Sequence, residues 1–379
     1  MEGIFWGVLF LGGYSYFIYP LVLLALPGRR RGDASEQTAC EALPELSLII
    51  TAHNEAERIG KKLENSLGLD YPAERLEIIV ASDCSVDGTD EIVRGYADRG
   101  VRLVRADEHK GKEYAQWCAI RQARGEILVF SDVATEIPQD ALRHLAAAFA
   151  DPKVGAVSSE DRFVSADGRL VGEGAYVRYE MWLRRLESEH AGLVGLSGSF
   201  FAARREVCAD WDIYSPSDFN TALNCARMGL VAVSCPRVLG YYSDIQDSAK
   251  EYQRKVRTVI RGLTAIARHP DVLDPLRMGG FAFQVWSHKP MRWGVPWFLL
   301  ALLGVNLALA GEGGFYRLAL VGQAGFYGLA LAGWGLPALR ENGVVRIVYF
   351  FVQTNVAIAQ ATLEFLRGRR MTVWTPSRR

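Results

Sequence analysis

The sequence has no excess charge of either sign: 43 lysines and arginines stand against 43 aspartates and glutamates. Without a net field there is no electrostatic case for nucleic acid or an acidic polymer as partner. Cysteine is sparse as well. The six thiols (Cys40, Cys84, Cys118, Cys208, Cys225 and Cys235) show neither paired CxxC spacing nor the density of a small secreted framework, which argues against structural zinc and a disulfide scaffold and for reduced thiols. GxGxxG and a Walker lysine loop are missing, so neither a dinucleotide fold nor an NTPase is indicated. HExxH, GxSxG and kinase signatures are missing too.

Apolar residues are what the sequence has in abundance. They make up 50% of 379 residues, and the mean hydropathy of +0.05 is high for a soluble protein. The excess sits at the two ends. Residues Ile4 to Leu26 carry no charge and are long enough to cross about 30 Å of hydrocarbon as a helix. Arg29, Arg30 and Arg31 follow, which places that end in the cytoplasm. A signal peptide would carry its basic cluster before the apolar run. Near the C-terminus, Trp293 to Ala310 and Phe315 to Leu336 read as spans with interfacial aromatics, and Phe281 to Arg292 as an interfacial helix. Val344 to Leu366 is apolar but carries Arg346, Gln353 and Gln360 at seven-residue intervals, so one face is polar. The arginines of the tail stay cytosolic if this segment is interfacial or re-entrant. A full span would instead turn its polar stripe into the bundle.

Between these ends, β-rich apolar runs alternate with helical periodicity. Leu46 to Thr51, Leu76 to Asp83, Val101 to Ala106 and Glu126 to Asp132 read as buried strands. Arg58 to Leu67, Thr89 to Ala97, Tyr114 to Ala123 and Pro138 to Phe149 read as helices. Such alternation predicts an α/β domain with a doubly wound, mostly parallel sheet, and ligands at the carboxyl ends of its strands.

The first strand ends in LSLIITAHNEAERI and the second in IIVASDCSVDGTDEI. Here the sequence resembles the family-2 glycosyltransferases of the GT-A fold, in their membrane-integrated, polysaccharide-synthase-like subgroup, from about Pro44 to Gly262. The resemblance implies that Thr51, Ala52, His53, Asn54, Glu55 and Asp83 bind the nucleotide of a nucleotide sugar, with Asp87 holding the turn that follows. The chemistry agrees: a carboxylate at a strand end can accept the uracil imide N–H or ribose hydroxyls. In HKGKEYAQ, the resemblance implies that Lys112, more than Lys110, faces the donor, whereas a lone lysine pair is usually solvated surface. ILVFSDVAT aligns Asp132 with the first carboxylate of the family's DxD metal motif, while the second position holds Ala134. Mg²⁺ or Mn²⁺ would then bind through Asp132, phosphates and water, or a cation such as Lys112 would replace it. GLVGLSGSFFAARRE supplies Ser197, Gly198 and Ser199 for the acceptor side. Asp218 aligns with the general base; on local sequence alone it could equally be a helix N-cap. KEYQRKVRTVIRG offers Arg254 and Arg257 for the diphosphate, although the family's QxxRW is incomplete, and basic residues there suit lipid headgroups equally.

The resulting organisation is a transmembrane helix (1–27), a linker (28–43), a GT-A domain (44–270), an interfacial amphipathic segment (271–292), transmembrane or re-entrant helices (293–367) and a basic tail (368–379). The expected activity is inverting transfer from a nucleotide sugar, UDP-linked by resemblance, to a saccharide or lipid-linked acceptor during cell-envelope or extracellular polysaccharide synthesis. The expected location is the bacterial inner membrane, multi-pass, with a cytosolic catalytic domain, membrane lipids as neighbours and no nucleic-acid partner. Two other readings stand beside it: a non-catalytic, nucleotide-binding scaffold, and a single-transfer polyprenyl-phosphate sugar transferase.

Overall fold

A computed structural model describes residues 1–29, 43–164, 175–243 and 248–371. Most of the linker and most of the basic tail, with Arg30, Arg31, Arg378 and Arg379, lie outside these residues. The chain divides into two compact units, one of Met1–Ala25, Asp247–Thr264 and Val285–Arg370, the other of Leu26–Gln246, Ala265–Gln284 and Met371–Arg379.

The second unit is built on a seven-stranded sheet: β1 (Leu46–Ala52), β2 (Leu76–Ser82), β3 (Val101–Arg105), β4 (Ile127–Asp132), β5 (Val154–Val164), β6 (Phe200–Arg204) and β7 (Val231–Ser243). Their spatial order is β3-β2-β1-β4-β6-β5-β7. The first four strands are parallel neighbours, β6 runs antiparallel to both β4 and β5, and β5 pairs parallel with β7. A parallel strand covered on both faces has no solvent side, and all seven residues of β1 are buried. Period-two alternation sends Leu48, Ile50, Val80 and Val129 to one face and Ile49, Ile79, Leu128 and Phe130 to the other. The helix Ala56–Leu67 covers the first face with Ile59 and Leu63, one turn apart, and Leu142 and Leu145 join them. The helix Lys112–Ile120 covers the second face with Ala115 and Ala119. There Phe130 stacks on Phe201 at 4.8 Å and on Trp211 at 5.0 Å. Each fully buried aliphatic side chain contributes about 1.5–3 kcal/mol, so truncating Ile49 or Leu63 to alanine would cost about 2–5 kcal/mol.

The strand order reverses at β1: the chain moves outward through β2 and β3, then returns to lay β4 on the other side of β1. That reversal opens a crevice beyond the carboxyl ends of β1 and β4, where Thr51 is in register with Asp132.

The other unit is helical. Four of its stretches, Glu2–Ala25, Gly280–Leu309, Gly314–Gly335 and Gly343–Leu366, are long and apolar enough to cross a membrane; Gly280–Leu309 begins in the neighbouring unit. The first contains a π-helical turn at Tyr14–Ile18, and its Phe5 meets Tyr316 edge-on at 5.3 Å. Gly333 lets two helices approach, since a Cβ there would stand 3.2 Å from that of Tyr349. Leu318, Val321 and Leu331 are about two-thirds exposed or more, a surface that water disfavours and lipid accommodates.

Two polar features of this unit are enclosed by protein. His288 and Arg292, within the stretch Phe281 to Arg292, are buried, and the Arg292 guanidinium lies over the Tyr16 ring. The desolvation cost of burying them is offset by protein contacts. The polar stripe of Gly343–Leu366 is also partly enclosed. Asn355 is buried, and Gln360 accepts from Tyr252 Oη at 2.6 Å while donating to Glu364.

Candidate active site

The carboxyl ends of β1, β2 and β4 place Thr51, Asp83 and Asp132 along one edge of the crevice. Their loops are stitched together. Asp83 N–H donates to Ala52 O at 2.9 Å, Asn54 N–H donates to Ser85 Oγ, and Asn54 Oδ1 accepts from Val86 N–H. Asn54 and Cys84 adopt positive φ of 53° and 54°, a conformation uncommon outside glycine and concentrated where loops are tightly shaped. Asp87 accepts from Ala56 N–H, Thr89 N–H and Thr89 Oγ–H, so it holds the turn. Burial raises its pKa, but those donors outweigh burial and leave it below the usual aspartate value.

Of two buried oxygens at these strand ends, Thr51 Oγ1 has no hydrogen-bond partner among the described residues, and Asp83 Oδ2 faces His109 Nδ1 at 2.9 Å. A buried acceptor left unmade costs about 1–3 kcal/mol, and such groups in a crevice mark where a ligand's donors belong. Asp83 Oδ1 accepts from Lys110 N–H at 3.2 Å. The Lys110 side chain turns away, pairing with Glu108 and lying over the Tyr114 ring.

Lys112 is buried at the start of its helix. Its ammonium donates to Asp132 Oδ1 at 2.5 Å and to Gly198 O at 2.7 Å. One side chain thus ties the DxD-like strand end to the 197–199 loop, and Asp132 N–H donates to Ser199 O across the same junction. Ser197 Oγ donates to Asp161 Oδ1 at 2.6 Å and lies 3.1 Å from Ser199 Oγ. Asp218 follows directly: a Cβ on Gly198 would stand 3.7 Å from the Asp218 carboxylate, and Leu196 N–H donates to Asp218 O. The helix Ser217–Arg227 has Pro216 at its N-cap and no side-chain cap. The Asp218 carboxylate is half-buried and makes no hydrogen bond or ion pair with the described residues, so a capping role does not account for it.

Glu55 is buried at the head of the Ala56–Leu67 helix and pairs with Arg58 at 2.6 Å. Burial raises its pKa most; Arg58 opposes this, and Asp132 and Asp87 add to the rise. Beside it a cavity of about 190 Å³ is lined by Arg58, Lys61, Lys62, Ala134 and Glu136, among others. Lys62 is buried, donating to Ser131 Oγ and Thr135 O. Burial lowers its pKa to about 7, against the raising influence of Asp132 and Glu136.

The crevice therefore gathers Thr51, Ala52, His53, Asn54, Glu55, Asp83, Lys112, Asp132, Ser197, Gly198, Ser199 and Asp218 within one unit. Arg254 and Arg257 belong to the helical unit instead, where Arg254 pairs with Glu251. Sequence reasoning missed Asp161, Lys62 and His109. Asp161 lies on a strand that had not been recognised, Lys62 belongs to no motif, and His109 had no motif beyond its neighbouring lysines.

The family profile for glycosyl transferase family 2 matches residues 47–211. Residues 47–211 form a family-2 glycosyltransferase domain. This glycosyltransferase domain is 26% identical over 216 residues to a beta-monoglucosyldiacylglycerol synthase of Trichormus variabilis, covering 55% of this chain and 46% of the relative. It is 27% identical over 175 residues to a poly-beta-1,6-N-acetyl-D-glucosamine synthase of Staphylococcus epidermidis, covering 44% and 42%. These alignments span less than half the length of each curated relative. The fold is shared with a mannosyltransferase of Pyrobaculum calidifontis solved with GDP-Man and Mn²⁺, at 23% identity and a TM-score of 0.73, over 97% of this chain and 99% of that one.

Proposed function

We propose that this chain is a membrane-bound, inverting glycosyltransferase that moves a sugar from a nucleotide sugar to a lipid-linked or saccharide acceptor. The observation that carries the reading is the convergence on one crevice of Thr51 Oγ1 and Asp83 Oδ2 at the nucleotide end and, at the other, of the Asp218 carboxylate, which has no side-chain partner among the described residues. Thr51 Oγ1 and Asp83 Oδ2 meet the base and ribose, with UDP as the expected nucleotide. Asp218 takes the proton of an acceptor hydroxyl as that oxygen attacks the anomeric carbon, and the nucleoside diphosphate departs from the opposite face. Ser197, Gly198 and Ser199 line the acceptor's approach beside Asp218.

The leaving diphosphate needs positive charge. Lys112 supplies a fixed ammonium on Asp132. A Mg²⁺ or Mn²⁺ ion would be held by Asp132 with the diphosphate oxygens and would neutralise the same charge. Hard cations prefer several oxygen ligands, and with Ala134 in place of a second carboxylate and Lys112 on Asp132 Oδ1, this donor set fits only a weakly held ion. The four apolar helical stretches fit attachment to the bacterial inner membrane, with the catalytic domain on the cytosolic side.

Membranes containing the protein, incubated with a panel of radiolabelled nucleotide sugars, should pass label from one donor into a lipid or polymer fraction. Binding of UDP with no transfer from any donor would favour a non-catalytic scaffold. A single labelled residue per acceptor would identify single transfer rather than chain synthesis.

A further inference from the structure

We propose that His53, Asp83 and His109 form a binding site for a borderline-soft divalent cation such as Zn²⁺, at the nucleobase end of the crevice and separate from Asp132. One ligand atom from each of the three lies within 4.8 Å of the others, although the residues come from three different segments: the end of β1, the end of β2 and the loop before the Lys112–Ile120 helix. Their rings and carboxylate are already assembled, with His53 and His109 stacked at 4.3 Å between ring centroids.

The local hydrogen bonding orients these groups as ligands. His53 Nδ1 lies 2.6 Å from the Asp83 carbonyl oxygen, which can only accept, so Nδ1 carries the proton and Nε2 the lone pair. Metal-bound histidines are commonly oriented this way, donating their second ring nitrogen to a carbonyl. The other neighbour of Nε2 is Asn54 Nδ2 at 3.3 Å, a long contact that an entering cation can displace. Asp83 Oδ2 is buried, and His109 Nδ1 stands 2.9 Å away, a contact that an entering cation would replace. That separation suits two atoms sharing one ion, and His109 is 42% exposed at its side chain, which leaves an entry path. Two imidazoles and one carboxylate form the donor set of zinc and its first-row neighbours, with further positions open to water. Mg²⁺ and Ca²⁺ favour all-oxygen sets and are not expected here. A consequence rests on the functional reading above: an ion on Asp83 Oδ2 occupies the acceptor assigned to the base, so metal and UDP compete.

The test uses the untagged full chain in detergent, titrated with Co²⁺ and read by visible absorption, then displaced with Zn²⁺. A saturable one-to-one site is expected, weakened by at least about tenfold in His109→Gln and in His53→Gln, with both variants retaining the wild-type circular dichroism. Absence of saturable binding, or binding unchanged in both variants, would overturn the site. Saturating UDP should weaken the apparent Co²⁺ affinity. If Co²⁺ and UDP bind independently, the metal site stands and Asp83 is not the base acceptor. If UDP binds and Co²⁺ does not, the metal site falls and the functional reading is untouched.

Discussion

Replacing Lys112 with methionine removes one ammonium and leaves two acceptors, Asp132 Oδ1 and Gly198 O, without their donor. Methionine fills a similar volume, so the change is electrostatic more than steric. A hydrogen bond to a charged group contributes about 1.5–3 kcal/mol. The Asp132 side chain is 24% exposed and recovers some hydration, so the stability loss should fall near the lower end, about 2 kcal/mol. At about 2–4 °C per kcal/mol for a domain of this size, the melting temperature should drop by about 4–8 °C. Donor binding should suffer separately. Losing a charge-assisted contact to the diphosphate is worth roughly tenfold to a hundredfold in UDP affinity. The carboxylate that Lys112 releases becomes a better ligand for a hard cation. Lys112→Met should therefore depend more strongly on Mn²⁺ than the wild type, which should keep substantial activity in excess EDTA. The assay is UDP binding by calorimetry and transfer with and without EDTA. Unchanged UDP affinity and unchanged turnover in EDTA would refute the assignment of Lys112 to the leaving group.

Three further outcomes follow from the same geometry. Asp83→Ala should lower UDP affinity by roughly ten- to a hundredfold, and unchanged affinity in a calorimetric titration would remove that role. Lys62 has a folded pKa near 7 against about 10.4 unfolded. The folded state prefers it neutral, so its cost to stability is full below pH 7 and is relieved as pH rises from about 7 to 10. Lys62→Met should accordingly gain thermal stability over the wild type at pH 6 and lose that advantage by pH 9.5; a pH-independent difference would contradict the burial argument. Attachment to membranes should survive alkaline carbonate, because apolar helices rather than charge hold the chain, and release into the supernatant would exclude the spans.

The first four strands were legible because a parallel strand buried on both faces must be apolar along its length, as LSLIIT and ILVF are. The remaining three were not. β5 carries Ser158, Ser159 and Glu160, all buried, and their burial is made tolerable by partners such as Arg185 on Glu160 that no local pattern announces. β6 is only five residues long, and β7 contains Pro236, a residue that argues against a strand. The site followed the same division. Asp83, Asp132 and Asp218 sit in the motifs that carry the chain's resemblance to the family. Asp161 and His109 acquire a role only when β5 and the 107–111 loop are brought beside Ser197 and Asp83, a consequence of topology. Lys62 illustrates the converse, since a lysine on an amphipathic helix is usually solvated, and only the packing of that helix against β4 buries it.

Asp218 offers the most direct test of the account. Its carboxylate has no side-chain partner among the described residues, so Asp218→Asn should fold and insert like the wild type and bind UDP with the same affinity. Asparagine cannot take a proton, and a positioned base supplies about 10²–10⁴ in rate. Single-turnover transfer from the identified donor should fall by at least about a hundredfold in this variant. Near-wild-type transfer by a folded, UDP-binding Asp218→Asn protein would contradict both the base and the active site built around it.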